Sequence, residues 1–270
     1  MPNILKTRLQ QGQRTISFPK GAPPPLPDRF RGRPLIDSSK CPEGCSVCVE
    51  VCPTSAIAAR SLQIDLGKCL FCTDCERSCP VGAITHSGDY RLAVRERRDL
   101  LVEGDQRALV LASALEKKIK SLFGRSFHLR QVSAGGCNAC EADVNVLNTI
   151  GWDLGRFGIQ FVASPRHADG LLITGPVTPN MVLALKKTWD AAPEPKLVIA
   201  TGACAISGGL FAATNGEQTG VDPLLKVDLY IPGCPPHPLT ILDGLLRLLG
   251  RIKPDPQNPG NPARTSRDHR

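Results

Sequence analysis

The sequence predicts two domains of different class: a small cysteine-rich α+β unit, then a larger α/β domain on a parallel sheet. Three observations carry this. Eight of the twelve cysteines fall in two short runs, "CPEGCSVCVEVCP" (41–53) and "CLFCTDCERSCP" (69–80). Each run leads into one plan of Cys-Pro, a small-residue turn, Ala-Ile and a short strand. The segment is therefore an internal duplication, its last cysteines, Cys52 and Cys79, 27 residues apart. From about 127 onward short apolar runs alternate with amphipathic ones, and strands alternating with helices imply a parallel sheet.

The first segment, 1–40, is a basic, Pro-rich arm. It opens on "NILKTRLQ", which places Ile4, Leu5 and Leu9 on one helical face. That stripe lies on a membrane-embedded partner or lipid interface, or else closes the fold. "PKGAPPPLPDRFRGRP" must be extended, because proline forbids helix continuation. Of the net charge of +8, residues 1–40 carry +6 and residues 251–270 carry +3, which leaves −1 for 41–250. Basic ends on a neutral body argue against a nucleic-acid face and fit arms that touch anionic headgroups or an acidic partner, or solvated termini. The first 25 residues contain no apolar signal core, and no run of 18 apolar residues occurs. Neither secretion nor a membrane span is expected, so the thiols belong in a reducing cytosol and read as metal ligands before disulfides.

Residues 41–100 form the cysteine-rich domain. Cys69, Cys72, Cys75 and Cys79 follow C-x2-C-x2-C-x3-C-P, the bacterial ferredoxin run, in which the fourth cysteine ligates the other cluster. Hence Cys69, Cys72, Cys75 and Cys52 are expected to hold one [4Fe-4S] cubane, and Cys41, Cys45, Cys48 and Cys79 the other. Zinc usually pairs two C-x2-C knuckles at long separation, which is not this pattern. The first run departs from the rule with C-x3-C, and Gly44 is the residue able to absorb the extra position in a bulged turn.

Residues 101–126 read as a helical connector. In 127–250 the runs "FHLRQV", "IQFVA", "GLLIT", "KLVIA" and "VDLYI" are strands, with helices near 140–150, 178–190 and 238–250. Cys137 and Cys140 follow the first strand, Cys204 the fourth and Cys234 the fifth. In open α/β sheets that C-terminal edge is where ligands bind. Four cysteines there, beside Gly135, Gly136, Gly202 and Gly233, make a third [4Fe-4S] site; buried structural cysteines are the bland reading. About −2 per oxidised cluster makes the loaded body distinctly negative. No G-x-G-x-x-G opens a helix, so no nucleotide is expected, and no triad or paired carboxylates suggest a substrate site. The tail, 251–270, reads as disordered and basic.

The motifs "GGCNACEADVN", "RFGIQFVASPRHADGLLITGPVT", "ATGACAISGG" and "YIPGCPPHPLTILDGLLRLLG" carry a resemblance. This part resembles the small subunit of membrane-bound (group 4) [NiFe]-hydrogenases, formate hydrogenlyase among them, and the related quinone-side B-type subunit of respiratory complex I. Residues 1–100, with "PLPDRFRGRP" and "DYRLAVRERRDLL" flanking the cysteine runs, resemble the two-cluster ferredoxin subunit of the same complexes. The chain looks like a fusion of the two. The complex I relative generally has adjacent cysteines where this chain has Cys137-x2-Cys140, the hydrogenase form, with Glu141 following.

The resemblance implies a ferredoxin-like two-cluster domain followed by a flavodoxin-like domain, an electron-relay subunit of an oxidoreductase whose third cluster lies nearest the catalytic large subunit. A nickel–iron centre would sit on that partner. Integral membrane subunits and an electron donor such as a formate dehydrogenase or ferredoxin module are the further partners. The implied location is cytoplasmic, peripheral on the inner face of the cell membrane. A complex I-like NADH- or ferredoxin-quinone oxidoreductase subunit is the alternative, and a free ferredoxin-type carrier the second. Three further residues are candidates. Glu141 tunes the third cluster or relays protons, or simply meets its helix dipole. Arg166 and His167 are expected on a strand-end loop at the cysteine edge, touching the partner or satisfied locally. His237 carries the same ambiguity.

Overall fold

The computed structural model describes residues 3–58, 62–104, 109, 111–115, 126–212 and 220–252. The chain opens with α1 (Ile4–Gln11), capped by Asn3, whose side chain accepts the Lys6 N–H. The stretch after it, 12–33, has neither helix nor strand but is anchored. Arg156 donates to the carbonyls of Ile16 (2.6 Å) and Phe18 (2.8 Å), and buried Phe18 meets Tyr90 edge-on. The arm thus straps the start of the chain to the α/β part, a role its composition did not announce.

The cysteine-rich part contains β1 (Pro34–Ile36), α2 (Val47–Glu50), β2 (Ile57–Ala58), β3 (Gln63–Asp65), α3 (Asp74–Ser78), β4 (Ile84–His86) and β5 (Leu101–Val102). β1 pairs with β4, and β3 pairs with β2 and β5, all antiparallel. The α/β part follows as β6 (Phe127–Ser133), α4 (Ala139–Val146), β7 (Ile159–Phe161), β8 (Gly170–Thr174), α5 (Pro179–Ala191), β9 (Leu197–Thr201), α6 (Ala203–Ser207), β10 (Leu229–Ile231) and α7 (Pro238–Leu248). Its five strands run parallel in the order β10-β9-β8-β6-β7, which counted within the domain is the flavodoxin order 2-1-3-4-5. β8 and β9 are buried on both faces, as strands covered on two sides must be.

The two parts share a core. Ile64, Leu66, Ile84 and Leu100 of the cysteine-rich part pack in one cluster with Ile173, Val198, Ala200 and Ile206 on one face of the sheet. The opposite face packs Leu172 and Ile199 against Leu239, Leu242 and Leu246 of α7. Val94 pairs with Tyr230 through two backbone bonds of 3.0 and 2.9 Å, covering the free edge of β10. Gly67 is required at the seam, because a Cβ there would stand 2.7 Å from Ile206 and 2.9 Å from the Arg97 guanidinium. Arg97 in turn grips Asp65 through both carboxylate oxygens at 2.8 and 2.7 Å.

The helical connector expected over 101–126 is corrected where it is described. Leu101–Val102 is a strand, and 111–115 has neither helix nor strand, with the Ala112 N–H on the Ala93 carbonyl and the Leu115 N–H on the Leu248 carbonyl. Leu109 and Leu111 enter one core and Ala112 and Leu115 the other, so tertiary burial overrides helix propensity. Residues 105–108, 110 and 116–125, and the tail from 253, lie outside the described residues. Among the described residues no helix is long and apolar enough to cross a membrane.

Candidate iron–sulfur centres

The twelve cysteines gather into three groups of four. Around α2 the Cys41 thiol is raised by burial, then by Cys45 and Cys79; Cys48 is raised by burial, then by Cys41, with Cys45 and Cys79 adding. The C-x3-C turn closes with the Cys45 N–H on the Pro42 carbonyl at 3.2 Å, and Gly44 sits at φ 77° in open space. In the second group burial pushes Cys69 up to about 12, and Cys75, Cys52 and Cys72 add to the rise. Cys75 is pushed up to about 11 by burial, then by Cys72 and, further down, Cys52. All four thiols of this group line one pocket, walled by Ile57 and Ile64.

The duplication extends to the hydrogen bonds. In "CPTSA" the Ala56 N–H donates to the Cys52 sulfur, and in "CPVGA" the Ala83 N–H donates to the Cys79 sulfur, both at 3.2 Å. Burial works to raise Cys79, but the N–H groups of Ala83, Val81, Ile84 and Gly82 outweigh it and hold this thiol below its usual range. Such N–H groups stabilise a thiolate and tune a cluster bound to it.

The third group stands at the C-terminal edge of the parallel sheet. Cys137 lies in the turn before α4 and Cys140 in its first turn, Cys204 in the first turn of α6, and Cys234 in the loop that leaves β10 after Ile231. Burial raises Cys140, followed by Cys204, Glu141, Cys234 and Cys137; Cys204 is pushed up to about 11 by burial, then by Cys234 and Cys137. Gly202, at φ 90°, allows the contact, since a Cβ there would be 2.6 Å from the Cys140 sulfur. Cys137 and Cys234 reach solvent.

Adjacent groups touch electrostatically. Cys48 of the first acts on Cys75 of the second, and Cys72 of the second acts on Cys234 of the third, although protein packed around the Cys234 thiol is the leading cause of its raised pKa. Among the described residues no three His, Cys, Asp or Glu side chains close on a point where one metal ion would sit. Four thiols spread around a polynuclear cluster stand further apart than four around a single ion. All-thiol donor sets, N–H groups aimed at sulfur and glycines at the closest approach fit [4Fe-4S] clusters.

The family described as NADH ubiquinone oxidoreductase, 20 Kd subunit, matches residues 137–248, and the 4Fe-4S binding domain matches 62–85. A probable membrane-bound hydrogenase subunit of Pyrococcus furiosus, mbhJ, is 40% identical over 141 residues, which are 51% of this chain and 84% of that protein. The chain belongs to the 20 kDa subunit family. Formate hydrogenlyase subunit 7 of Escherichia coli is 42% identical over 149 residues, 55% of this chain and 57% of that protein. The B-type subunit of the NADH-quinone oxidoreductase of Citrifermentans bemidjiense is 47% identical over 117 residues, 43% of this chain and 68% of that protein. This 20 kDa family member is accordingly an oxidoreductase subunit, with a 4Fe-4S binding region ahead of its family domain.

The remaining candidates separate. Glu141 is buried, only 6% exposed, and its Oε1 accepts the Thr174 hydroxyl at 2.6 Å. Burial works to raise it, but hydrogen bonds from Ser133, Thr174 and its own N–H outweigh that, so it is held as an anion beside Cys140. Arg166 and His167 are exposed, in a short turn (Pro165–His167) on the loop from β7 to β8. β7 is only three residues long and pairs with the first half of β6, so their loop is tied at both ends there: Val162 N–H to the Leu129 carbonyl, Asp169 N–H to the His128 carbonyl. His237 caps α7, its Nδ1 accepting the Leu239 N–H at 3.1 Å, and is satisfied locally. Sequence reasoning missed Ser133 and Thr174, the partners of Glu141. The available signal was that β6, β8 and β9 each end in a hydroxyl residue, with glycine next or two on.

Proposed function

We propose that the chain binds three [4Fe-4S] clusters and is the electron-relaying subunit of a membrane-bound hydrogenase complex of the formate hydrogenlyase kind. The observation that carries this is the serial order of the thiol groups, with Cys48 near enough to raise Cys75 of the second group and Cys72 near enough to raise Cys234 of the third. Cys41, Cys45, Cys48 and Cys79 hold the first cluster, Cys69, Cys72, Cys75 and Cys52 the second, and Cys137, Cys140, Cys204 and Cys234 the third. Bound there, clusters supply one-electron transfer at potentials set by hydrogen bonds to sulfur and by exposure. The chain's own residues hold the sulfurs, aim the Ala56 and Ala83 N–H groups at them and surround them with apolar side chains.

The edge open at Cys137 and Cys234 faces the large subunit, which holds the nickel–iron centre; the first group faces a formate dehydrogenase or ferredoxin module. The chain is cytoplasmic and peripheral on the inner membrane face, beside the integral subunits. α1 is suited to anionic headgroups. Ile4, Leu5 and Leu9 are 75–83% exposed on it, and the first 27 residues carry Lys6, Arg8, Arg14 and Lys20 with no acid.

The second reading, a complex I-like quinone or ferredoxin oxidoreductase, is favoured by the identity to the NADH-quinone oxidoreductase relative over 117 residues. Metal analysis of the native complex, isolated anaerobically through this chain, decides between them. About one nickel per complex with iron for three cubanes upholds the hydrogenase reading; iron without nickel sinks it in favour of the second.

A further inference from the structure

A row of side chains crosses the sheet where its strands end. Ser133 of β6 lies opposite Thr174 of β8, and Thr201 of β9 lies opposite Ile231 of β10. The β8–β9 register, with Ile173 opposite Ala200, brings Thr174 level with Thr201 one residue further on. Register partners in a parallel sheet point to the same face, so the hydroxyls of Ser133, Thr174 and Thr201 stand side by side. Ser133 and Thr174 spend theirs on the Glu141 carboxylate in the first turn of α4. Thr201 is fully buried, and its hydroxyl has no hydrogen-bond partner among the described residues.

A buried hydroxyl without a partner destabilises the fold unless something accepts from it. Its neighbours identify the acceptor. Cys140 precedes Glu141 on α4, and the next residue after Thr201 is Gly202, over which the Cys140 sulfur sits. Cys204 comes two residues after that, in the first turn of α6. Thr201 thus stands one residue before the glycine beneath the Cys140 sulfur and three before Cys204, with no carboxylate or carbonyl engaging its hydroxyl.

Given the third cluster proposed above, we infer that the Thr201 hydroxyl donates a hydrogen bond to a sulfur of that cluster and sets its reduction potential. Sulfur accepts more strongly as the cluster gains an electron, so the donor favours the reduced form and raises the potential. Thr201 is a positioning residue for charge: it neither ligates nor reacts.

The test is a redox titration of the native complex, followed by low-temperature electron paramagnetic resonance, for wild type, Thr201→Val, Thr201→Ala and Thr201→Ser, with a thermal melt of each. Valine keeps the shape and removes the donor; alanine serves if valine does not assemble. In Val or Ala the reduced-to-oxidised ratio of the third cluster at the wild-type midpoint falls roughly tenfold, about 59 mV for one electron. Serine stays near wild type, and the other two clusters do not move. An unmoved third midpoint in Val or Ala, with a raised melting temperature, overturns the inference and leaves only an unpaired hydroxyl. Absence of a third signal in the wild type overturns the cluster reading itself, an outcome distinct from an unmoved midpoint.

Discussion

Gly44 and Gly202 both adopt positive φ, 77° and 90°, and a methyl group separates them. At Gly44 a Cβ meets nothing within 4 Å, so Gly44→Ala costs only the left-handed backbone penalty, about 1–2 kcal/mol, and leaves the iron content intact. At Gly202 the Cβ would stand 2.6 Å from the Cys140 sulfur, so Gly202→Ala is expected to remove the third cluster's iron and spare the other two. Iron analysis of the two purified variants checks both. Both glycines were legible in the sequence, one from the irregular C-x3-C spacing and one from its strand–Gly–Cys context. Thr201 was not, because whether a buried hydroxyl finds a partner depends on its neighbours across the sheet.

Among the elements, α7 combines an apolar face with a buried ion pair. Arg247 Nε donates to Asp243 at 2.7 Å, with the side chains 5% and 1% exposed. Removing one partner strands a buried charge, so Arg247→Met is expected to cost ~3–5 kcal/mol, while Asp243→Leu with Arg247→Met costs less. Denaturant midpoints of the two variants read the difference. α1 has the opposite character. Replacing Ile4, Leu5 and Leu9 by Asn should abolish flotation with vesicles of anionic lipid and leave the iron content unchanged, and salt should weaken the wild type's flotation. Binding that survives the triple substitution would assign attachment to other parts of the complex. Apolar runs marked all five parallel strands: β8, β9 and β10 are buried on both faces and nearly continuous in apolar residues, while β6 shows as a partial alternation. The pattern failed at 111–115, where leucines at helical spacing serve two cores.

For the molecule as a whole, the boundary between the two parts is visible in composition, but their union is not. Val94 completing the edge of β10 and Gly67 admitting Ile206 make one body of a ferredoxin-like part and a flavodoxin-order sheet. The shared core fixes the succession of thiol groups that an electron relay requires, with Cys72 close enough to Cys234 to raise its thiol. Three clusters in that order are the central claim. Iron and acid-labile sulfide counted per chain, in anaerobically isolated wild type and Cys204→Ala, test it most directly. The account requires about 12 of each in the wild type and about 8 in the variant. About 8 in both would contradict it, leaving the sheet-edge cysteines without a cluster.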